Sequence, residues 1–510
     1  MRFIKNIAVA IVAMAAALAQ PNRPSTGMDL PDETPVVTHH EIKLENKTLK
    51  YTARAGYLSL YDDFREMKAR IFYVSYTLDQ ANSTRPLTFA WNGGPGSPAS
   101  TVHLALMGPR RAKTMDEYKS APPPYELVDN QDTWLAFTDL VLIDPVGTGY
   151  SYATKPEYLK DFWNVSGDID SIGESIRLYL AHYSAGDAPM FIAGESYGTT
   201  RAAGLAKILA DRRIPLSGVI LISAGNLAGR GGADEVSYAL ILPSFTASAF
   251  FHKKLAPDLQ GDLQSTLRKA ESWAETEYLT ALVKGDRLTA QERENVAAQL
   301  ARFTGLDPAF VARTGLRIST DQFARELLRD QNLEVGHYGA HLTWKIANPA
   351  APYDLWSDPS LFSNGTSGLI VPYLRSELGF SADARYAGPW GGGWPSPASP
   401  RADWTGQRWN MQTGGNVAAD LADAMRRNPT LRVFVAHGYY DLVTPYFAGE
   451  YAVSHMRLDP ALRRNVILQV YPGGHSMYCE KPVLHQMFLD IGEFIRKTTP
   501  AKKPTPSVQQ

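Results

Sequence analysis

A serine with small neighbours lies between an apparent strand and an apparent helix. Residues 194–198 read Gly-Glu-Ser-Tyr-Gly, which fits the pattern Gly-x-Ser-x-Gly. An apolar run precedes them at 190–193, and helical spacing follows over 199–212. In this context the serine occupies a tight turn, its hydroxyl is exposed above a sheet edge, and the helix N-terminus favours developing negative charge. The pattern predicts Ser196 as a nucleophile; the alternative is a chance match in a loop.

A serine hydroxyl is a weak nucleophile and needs a base. His475 lies in a glycine-rich loop after the predicted strand 466–470, and Asp441 follows the predicted strand 431–436. Strand ends at one edge of a parallel sheet allow such side chains to converge, and the order Ser, Asp, His is that of α/β-hydrolases. Asp441 would hold the imidazole tautomer and stabilise the imidazolium. Position and order together favour a triad for acyl transfer, whereas a single Asp or His in a loop is usually structural.

Stabilisation of a tetrahedral oxyanion requires backbone donors from an early loop. Residues 92–96 read Asn-Gly-Gly-Pro-Gly and follow the apolar run 87–91. Because glycine lets the backbone come close to a substrate, we predict an oxyanion hole made by the N–H groups of Gly94 and Tyr197. The alternative is an ordinary Gly/Pro turn.

Short apolar runs separated by helical patterns must position these residues. Such runs occur at 87–91, 140–143, 190–193 and 219–223, and they predict a mostly parallel sheet with crossover helices. Two earlier β-like runs cover 51–61 and 70–78, a loose arm is predicted for 21–38, and 349–404 reads as irregular. The predicted division is a signal peptide at 1–19, a first core part at 20–230, a cap insertion at 231–404, a second core part at 405–497 and a disordered tail at 498–510.

Composition and the N-terminus restrict the class of protein. The formal net charge is −1, without the basic excess of nucleic-acid binders, so nucleic acid is not an expected partner. The single cysteine, Cys479, excludes an intrachain disulfide. Two early positive residues, the apolar run 7–18 and Ala-Leu-Ala at 17–19 predict cleavage before Gln20 and export to the periplasm or medium, with no membrane attachment afterwards. The alternative is a tether, although the run is short of the roughly 20 residues of a spanning helix. No metal-ligand cluster is visible, no cofactor is expected, and nothing indicates an oligomeric state.

Four blocks of sequence resemble the serine carboxypeptidase family and occur in that family's order. They are Trp-Asn-Gly-Gly-Pro-Gly-Ser at 91–97, Asp-Pro-Val-Gly-Thr-Gly-Tyr-Ser at 144–151, the serine pentad at 194–198, and the late Asp with Gly-Gly-His. The resemblance implies an α/β-hydrolase fold with a mostly parallel central sheet and a helical or irregular cap. It also implies removal of the last residue of peptides with a free C-terminus, through an acyl-enzyme on Ser196. By the same resemblance, Asn92, Gly93 and Glu195 would hold the terminal carboxylate. Scarce cysteine suggests a bacterial-type member.

The chain departs from the family pattern in the segment that follows the early glycines. Leu106 occupies the place of a second family glutamate, and Arg110 and Arg111 follow it. A protonated Glu195 could donate a hydrogen bond to a carboxylate, which would favour binding at acid pH. We hypothesise that Arg110 or Arg111 partly replaces the missing acid, the alternative being that both are ordinary surface charges.

Three functions remain open from the sequence. The first is a carboxypeptidase, and the second is an esterase or acyltransferase with the same triad, because fold and triad do not fix the substrate. The third is a non-catalytic binding protein on a hydrolase scaffold, which would not require all three triad groups in order.

Overall fold

The computed structural model describes residues 34–79, 85–113, 124–225, 227, 234–348, 351–354, 358, 366–388 and 416–499. The predicted signal peptide at 1–19 lies outside these residues. All but the first two residues of the predicted tail at 498–510 also lie outside them, and so does much of the segment 349–404.

Fourteen strands are found in the described part of the chain. They are β1 (Val36–Leu44), β2 (Lys47–Tyr61), β3 (Met67–Leu78), β4 (Leu87–Trp91), β5 (Arg110–Ala112), β6 (Leu127–Asp129), β7 (Asp139–Ile143), β8 (Tyr152–Ala153), β9 (Met190–Glu195), β10 (Gly218–Ile222), β11 (Leu333–Val335), β12 (Thr343–Lys345), β13 (Arg432–Gly438) and β14 (Val466–Tyr471).

The α-helices, again within the described residues, lie between and after these strands. They are α1 (Leu159–Phe162), α2 (Val165–His182), α3 (Tyr197–Asp211), α4 (Glu235–Phe251), α5 (Leu263–Trp273), α6 (Leu279–Lys284), α7 (Ala290–Thr304), α8 (Pro308–Arg313), α9 (Thr320–Glu326), α10 (Thr366–Ser376), α11 (Val417–Arg427), α12 (Tyr446–Ser454), α13 (Pro460–Arg463) and α14 (Lys481–Thr498). No helix among the described residues is both long enough and apolar enough to cross a membrane.

A ten-stranded sheet forms the centre of the fold. Its order is β1-β2-β3-β7-β4-β9-β10-β13-β14, with β8 beside β3. The strands β1, β2 and β3 pair antiparallel, and from β7 onward neighbouring strands run parallel. Every residue of β4, β9 and β10 is buried, as expected where helices cover both faces of a parallel sheet. The predicted, mostly parallel sheet with crossover helices is therefore confirmed.

Separate apolar clusters cover the two faces of the sheet. On one face, α2, α3 and α11 bury residues such as Ile172, Leu205 and Leu421. On the other face, α14 contributes Ile491 and α10 contributes Leu374. The carboxyl ends of β4, β9, β13 and β14 consequently share one edge, where the loops with the predicted site residues begin.

The helices from α4 to α9 follow β10 and have their own apolar cluster. Phe245 stacks on Phe323 with ring centroids 4.0 Å apart. The same cluster includes Tyr440, Leu442 and Tyr446, which lie around the end of β13 and the start of α12. These helices therefore pack directly against the loop that carries Asp441.

Two expectations about local structure are wrong. The segment 349–404 is not irregular throughout, because α10 buries Leu374 in the core and the Tyr373 hydroxyl lies 2.8 Å from that of Tyr76. Tertiary burial here outweighs the Gly/Pro-rich composition. The loose arm predicted to reach residue 38 ends earlier, because Val36 already pairs with Ala55 at the start of β1. The division into core and cap stays a prediction, and α10, although inside 231–404, packs with the core.

Candidate active site

The turn between β9 and α3 holds Ser196 in a strained conformation. Its φ is +57° and its ψ is −129°, a region that residues other than glycine rarely adopt. The Ser196 N–H donates to the carbonyl of Ile222 at 2.9 Å, which fixes the turn to β10. A Cβ at Gly194 would lie 2.0 Å from the carbonyl oxygen of Gly198, so the first pentad position tolerates only glycine. The pentad therefore forms the sharp turn that the sequence predicts, at the N-terminus of α3.

His475 and Asp441 form a buried pair at the ends of β14 and β13. The His475 Nδ1 lies 2.7 Å from Asp441 Oδ2. The other oxygen, Oδ1, accepts the N–H groups of Val443 at 2.8 Å and Thr444 at 2.9 Å. The Thr444 hydroxyl donates to Oδ2 at 2.5 Å. The carboxylate is thus fixed by several donors and orients the imidazole with Nε2 outward.

Burial and charge act in opposite directions on this pair. Burial works to raise the pKa of Asp441, but His475 and the Thr444 hydrogen bonds outweigh it and lower that pKa. Burial works to lower the pKa of His475, but Asp441 and Glu195 raise it to about 9. The imidazolium is therefore strongly stabilised, as a base that must carry a proton during acyl transfer requires.

The glycine loop after β4 lies directly against the nucleophile turn. A Cβ at Gly93 would lie 2.4 Å from the Tyr197 nitrogen and 2.6 Å from the Glu195 carbonyl oxygen. Gly94 has φ +101°, in the range that favours glycine. The loop that carries Gly94 and the first residue of α3, Tyr197, are thereby brought together, as an oxyanion hole made by their N–H groups requires.

Asn92 and Glu195 form a second buried contact beside the serine. The Asn92 side chain donates from Nδ2 to Glu195 Oε2 at 3.0 Å, and its Oδ1 accepts the N–H groups of Thr101 at 3.1 Å and Val102 at 3.0 Å. The Tyr478 hydroxyl donates to Glu195 Oε1 at 3.5 Å. The three residues predicted to bind a carboxylate, Asn92, Gly93 and Glu195, therefore lie together at the nucleophile turn.

The outward nitrogen of the imidazole faces this second contact. His475 Nε2 lies 3.8 Å from Glu195 Oε1, and within the described residues no hydrogen bond joins the Ser196 hydroxyl to His475. In free enzymes the bond between nucleophile and base is often long and tightens only in the complex. Since Glu195 is the residue before Ser196, the base nevertheless lies at the serine turn.

The contact between Glu195 and His475 predicts a shift in the pH profile of serine reactivity. His475 must be neutral to accept the serine proton, so reaction with a neutral fluorophosphonate should accelerate as pH rises toward a midpoint near the His475 pKa of about 9. Glu195→Gln removes one negative charge that raises this pKa, so the midpoint should move to lower pH. The second-order inactivation rate, measured from pH 5 to 10, tests this, with Glu294→Gln at an exposed position of α7 as the matched control. An unchanged midpoint in Glu195→Gln would contradict the contact.

Leu106, Arg110 and Arg111, where the sequence departs from the family pattern, all have defined surroundings in the structure. Leu106 is fully buried in the core, and Arg110 pairs with Asp129 at 2.5 Å and Glu377 at 3.1 Å. An arginine engaged by two carboxylates is poorly suited to bind a third, so the compensation hypothesis loses support for Arg110. Arg111 is not an ordinary surface charge either, because its side chain is buried, with burial lowering its pKa and Cys479 and Asp132 raising it.

A segment before β12, not recognised from the sequence, braces the triad. The carbonyl of His337 accepts the N–H of Leu442 at 2.9 Å, and the N–H of Ala340 donates to the carbonyl of Tyr440 at 2.9 Å. The Tyr338 carbonyl accepts the His475 N–H at 2.6 Å. We call residues 337–340 the strap, because they bond to both neighbours of Asp441 and to His475 itself.

The Tyr338 side chain adds a ring contact to the strap. Its ring meets the His475 imidazole edge-to-face with centroids 5.2 Å apart. The imidazole of His252, the residue directly after α4, lies 2.7 Å from the Ala340 carbonyl oxygen and anchors the far end of the strap. Main-chain bonds of this kind leave no residue-type signal, which is why sequence analysis missed the strap.

The comparisons with known proteins agree with this geometry. The sequence profile of the family described as "Serine carboxypeptidase" matches residues 44–282. The pheromone-processing carboxypeptidase kex1 of Talaromyces marneffei is 31% identical over 132 residues, which are 26% of this chain and 19% of that protein. Serine carboxypeptidase-like 5 of Arabidopsis thaliana is 28% identical over 152 residues, 29% of this chain and 33% of that protein. The chain thus spans one third or less of the length of these curated relatives.

A solved structure extends the similarity in fold over most of the chain. The crystal structure of Kex1(delta)p, a prohormone-processing carboxypeptidase from Saccharomyces cerevisiae, superposes with a TM-score of 0.51 at 14% identity, covering 87% of this chain and 91% of that one. At this identity the likeness shows the fold alone, which is the α/β-hydrolase fold. The profile match, the four motifs and the site geometry point in the same direction: over residues 44–282, this chain is similar to the serine carboxypeptidase family.

Proposed function

We propose that this protein is a serine carboxypeptidase that releases C-terminal residues from peptides through an acyl-enzyme on Ser196. The observation that carries the proposal is the buried hydrogen bond between Asn92 and Glu195, 3.0 Å long, placed beside the nucleophile turn and 3.8 Å from the base. An amide and a carboxyl group paired in this way can present donors to a substrate carboxylate when the glutamate is protonated. A simple esterase would not need such a pair next to its nucleophile.

The proposed reaction uses each residue of the site in a defined step. Ser196 Oγ attacks the scissile carbonyl carbon while its proton passes to His475 Nε2, and Asp441 stabilises the imidazolium. The N–H groups of Gly94 and Tyr197 bind the oxyanion. The C–N bond then breaks as His475 returns the proton to the leaving amine, and a water molecule, deprotonated by the same base, hydrolyses the acyl-enzyme.

A matched pair of substrates tests the proposal directly. One is a blocked dipeptide with a free terminal carboxylate, and the other is its C-terminal amide. We expect kcat/KM to be roughly 10- to 100-fold higher for the free acid, because hydrogen bonds to a charged group contribute about 1.5–3 kcal/mol each. Asn92→Ala should reduce this preference, whereas Asn295→Ala on the exposed face of α7 should preserve it.

The other functions are outcomes of the same experiments. Equal turnover of acid and amide, together with efficient cleavage of simple esters, would indicate an esterase or acyltransferase. Absence of Ser196 labelling by a fluorophosphonate would indicate a non-catalytic binding protein.

We further propose that the protein is exported to the periplasm or the medium and is a bacterial-type family member. Export is supported by the charged start, the apolar run 7–18 and the small residues around position 19. The bacterial assignment is supported by the single cysteine, Cys479, in a chain of this size. N-terminal sequencing of the native protein tests export: a mature chain that starts at Gln20 supports it, and an intact Met1 contradicts it.

A further inference from the structure

A buried ion pair between Arg201 and Asp168 contacts both segments that would form the oxyanion hole. The Arg201 guanidinium donates from Nε to Asp168 Oδ2 at 2.9 Å and from Nη2 to Oδ1 at 3.2 Å. The side chains are 0% and 3% exposed, respectively. Arg201 is on α3, one helical turn after Tyr197, and Asp168 is in the first turn of α2. Such a pair is shielded from solvent and holds its partners in one geometry.

The early loop is attached to this ion pair through its backbone. Arg201 donates from Nη1 to the carbonyl oxygen of Asn92 at 2.8 Å, two residues before Gly94. The indole of Trp91 adds a parallel connection, because its Nε1 donates to the carbonyl of Gly198 at 2.9 Å. The position of the Gly94 half of the hole therefore depends on the Arg201 side chain.

The other half of the hole is attached to the same pair through its side chain. The Tyr197 hydroxyl donates to Asp168 Oδ2 at 3.1 Å, and the Arg201 guanidinium carbon lies 5.3 Å from the centre of the Tyr197 ring. Tyr197 is the residue whose N–H would bind the oxyanion. The two segments that would supply the oxyanion donors are thus both hydrogen-bonded to the same ion pair.

We propose that Arg201 and Asp168 are positioning residues that set the separation of the two oxyanion donors. This inference rests on the proposed acyl transfer at Ser196 but not on the identity of the substrate. An oxyanion hole acts through donors that are fixed before charge develops, so a change in their separation weakens binding of the tetrahedral state more than binding of the planar substrate. Arg201 has the planar fork needed to bridge a carboxylate and a carbonyl at once, which lysine cannot reproduce.

The test compares a planar ester with a tetrahedral probe in Arg201→Lys. The ester is neutral and carries no free carboxylate, and the probe is a peptidyl boronic acid, which forms a tetrahedral adduct with the serine oxygen. We expect kcat on the ester to fall by about 10²–10³, as for the loss of one oxyanion donor. The affinity for the boronic acid should fall by a similar factor, while KM for the ester should change by less than about threefold. Fluorophosphonate titration counts the competent sites, so that kcat refers to folded enzyme.

Two further variants keep the proposal falsifiable. Tyr197→Phe leaves the ion pair intact and removes one hydrogen bond, so it should lower kcat and boronic-acid affinity together by roughly 5- to 10-fold. Lys207→Met, on the exposed face of α3, is the matched control and should change neither. If Arg201→Lys does not fold, Tyr197→Phe decides the question alone.

The outcomes separate this inference from the proposed function. Normal kcat and boronic-acid affinity per titrated site in Arg201→Lys or, if that variant does not fold, in Tyr197→Phe would overturn the positioning role and leave a purely structural ion pair. A rise in KM together with a fall in kcat, with unchanged boronic-acid affinity, would also overturn the positioning role. If the wild-type enzyme shows no preference for peptides with a free terminal carboxylate, only the carboxypeptidase assignment is overturned.

Discussion

Ser196→Ala is expected to lower kcat by about 10⁶, the factor associated with removing the nucleophile of a triad. The strained backbone of the turn should survive, because alanine and serine bear the same cost at a φ of +57°. The Ser196 N–H would still donate to the Ile222 carbonyl, because this is a backbone bond. Among the described residues, no hydrogen bond of the turn uses the Ser196 hydroxyl. Steady-state turnover and fluorophosphonate labelling measure the loss, and binding of a product peptide by calorimetry should persist.

Ser454→Ala provides the matched control for this variant. Ser454 is exposed at the end of α12, and its hydroxyl donates only to nearby groups such as the carbonyl of Tyr451, at 2.8 Å. Its turnover should match that of the wild type. Retention of more than a tenth of the wild-type activity by Ser196→Ala would mean that another group attacks the substrate.

Asp441→Asn is expected to lower kcat by about 10⁴ through the tautomer of His475. The N–H groups of Val443 and Thr444 both point at Oδ1, so the asparagine carbonyl would occupy that position and its amide would face the imidazole. Nδ1 would then accept a hydrogen bond, and the ring proton would move to Nε2, where it blocks abstraction of the serine proton. The pKa of His475 should also fall from about 9, because the carboxylate that raises it is gone.

Stopped-flow turnover and the pH dependence of inactivation by a neutral fluorophosphonate measure both effects. Asp459→Asn serves as the control, because asparagine replaces aspartate at the N-cap of α13 with little cost. A variant that keeps the wild-type midpoint near pH 9 would show that Asp441 does not control the imidazole.

The placement of the candidate catalytic residues could be predicted, because each of them follows a buried strand. The strand predicted at 190–193 appears as β9, Met190–Glu195, and the strand predicted at 466–470 appears as β14, Val466–Tyr471. An apolar run that ends in glycines both forms a central strand and marks the loop after it. The positions of Ser196, Asp441 and His475 at one sheet edge therefore follow from local patterns.

The supporting residues could not be predicted, because their roles depend on contacts between distant segments. Arg201 reads as a charged residue on a helix and would normally be placed in solvent. Its burial is explained only by Asp168, which is separated from it by 33 positions. Tyr478 likewise follows His475 without any motif, yet its hydroxyl reaches Glu195. Such pairs require knowledge of how α2, α3 and the last loop pack.

The strap links the helical segment after β10 to the candidate catalytic residues. Residues 337–340 precede β12 and are joined by backbone hydrogen bonds to Tyr440, Leu442 and His475. Exchange of this segment between relatives, whether by recombination or by grafting, should consequently also change the alignment of His475. Substitution of exposed residues on α5 to α8 leaves these backbone hydrogen bonds in place, whereas replacement of the whole segment also replaces the carbonyl that accepts the His475 N–H.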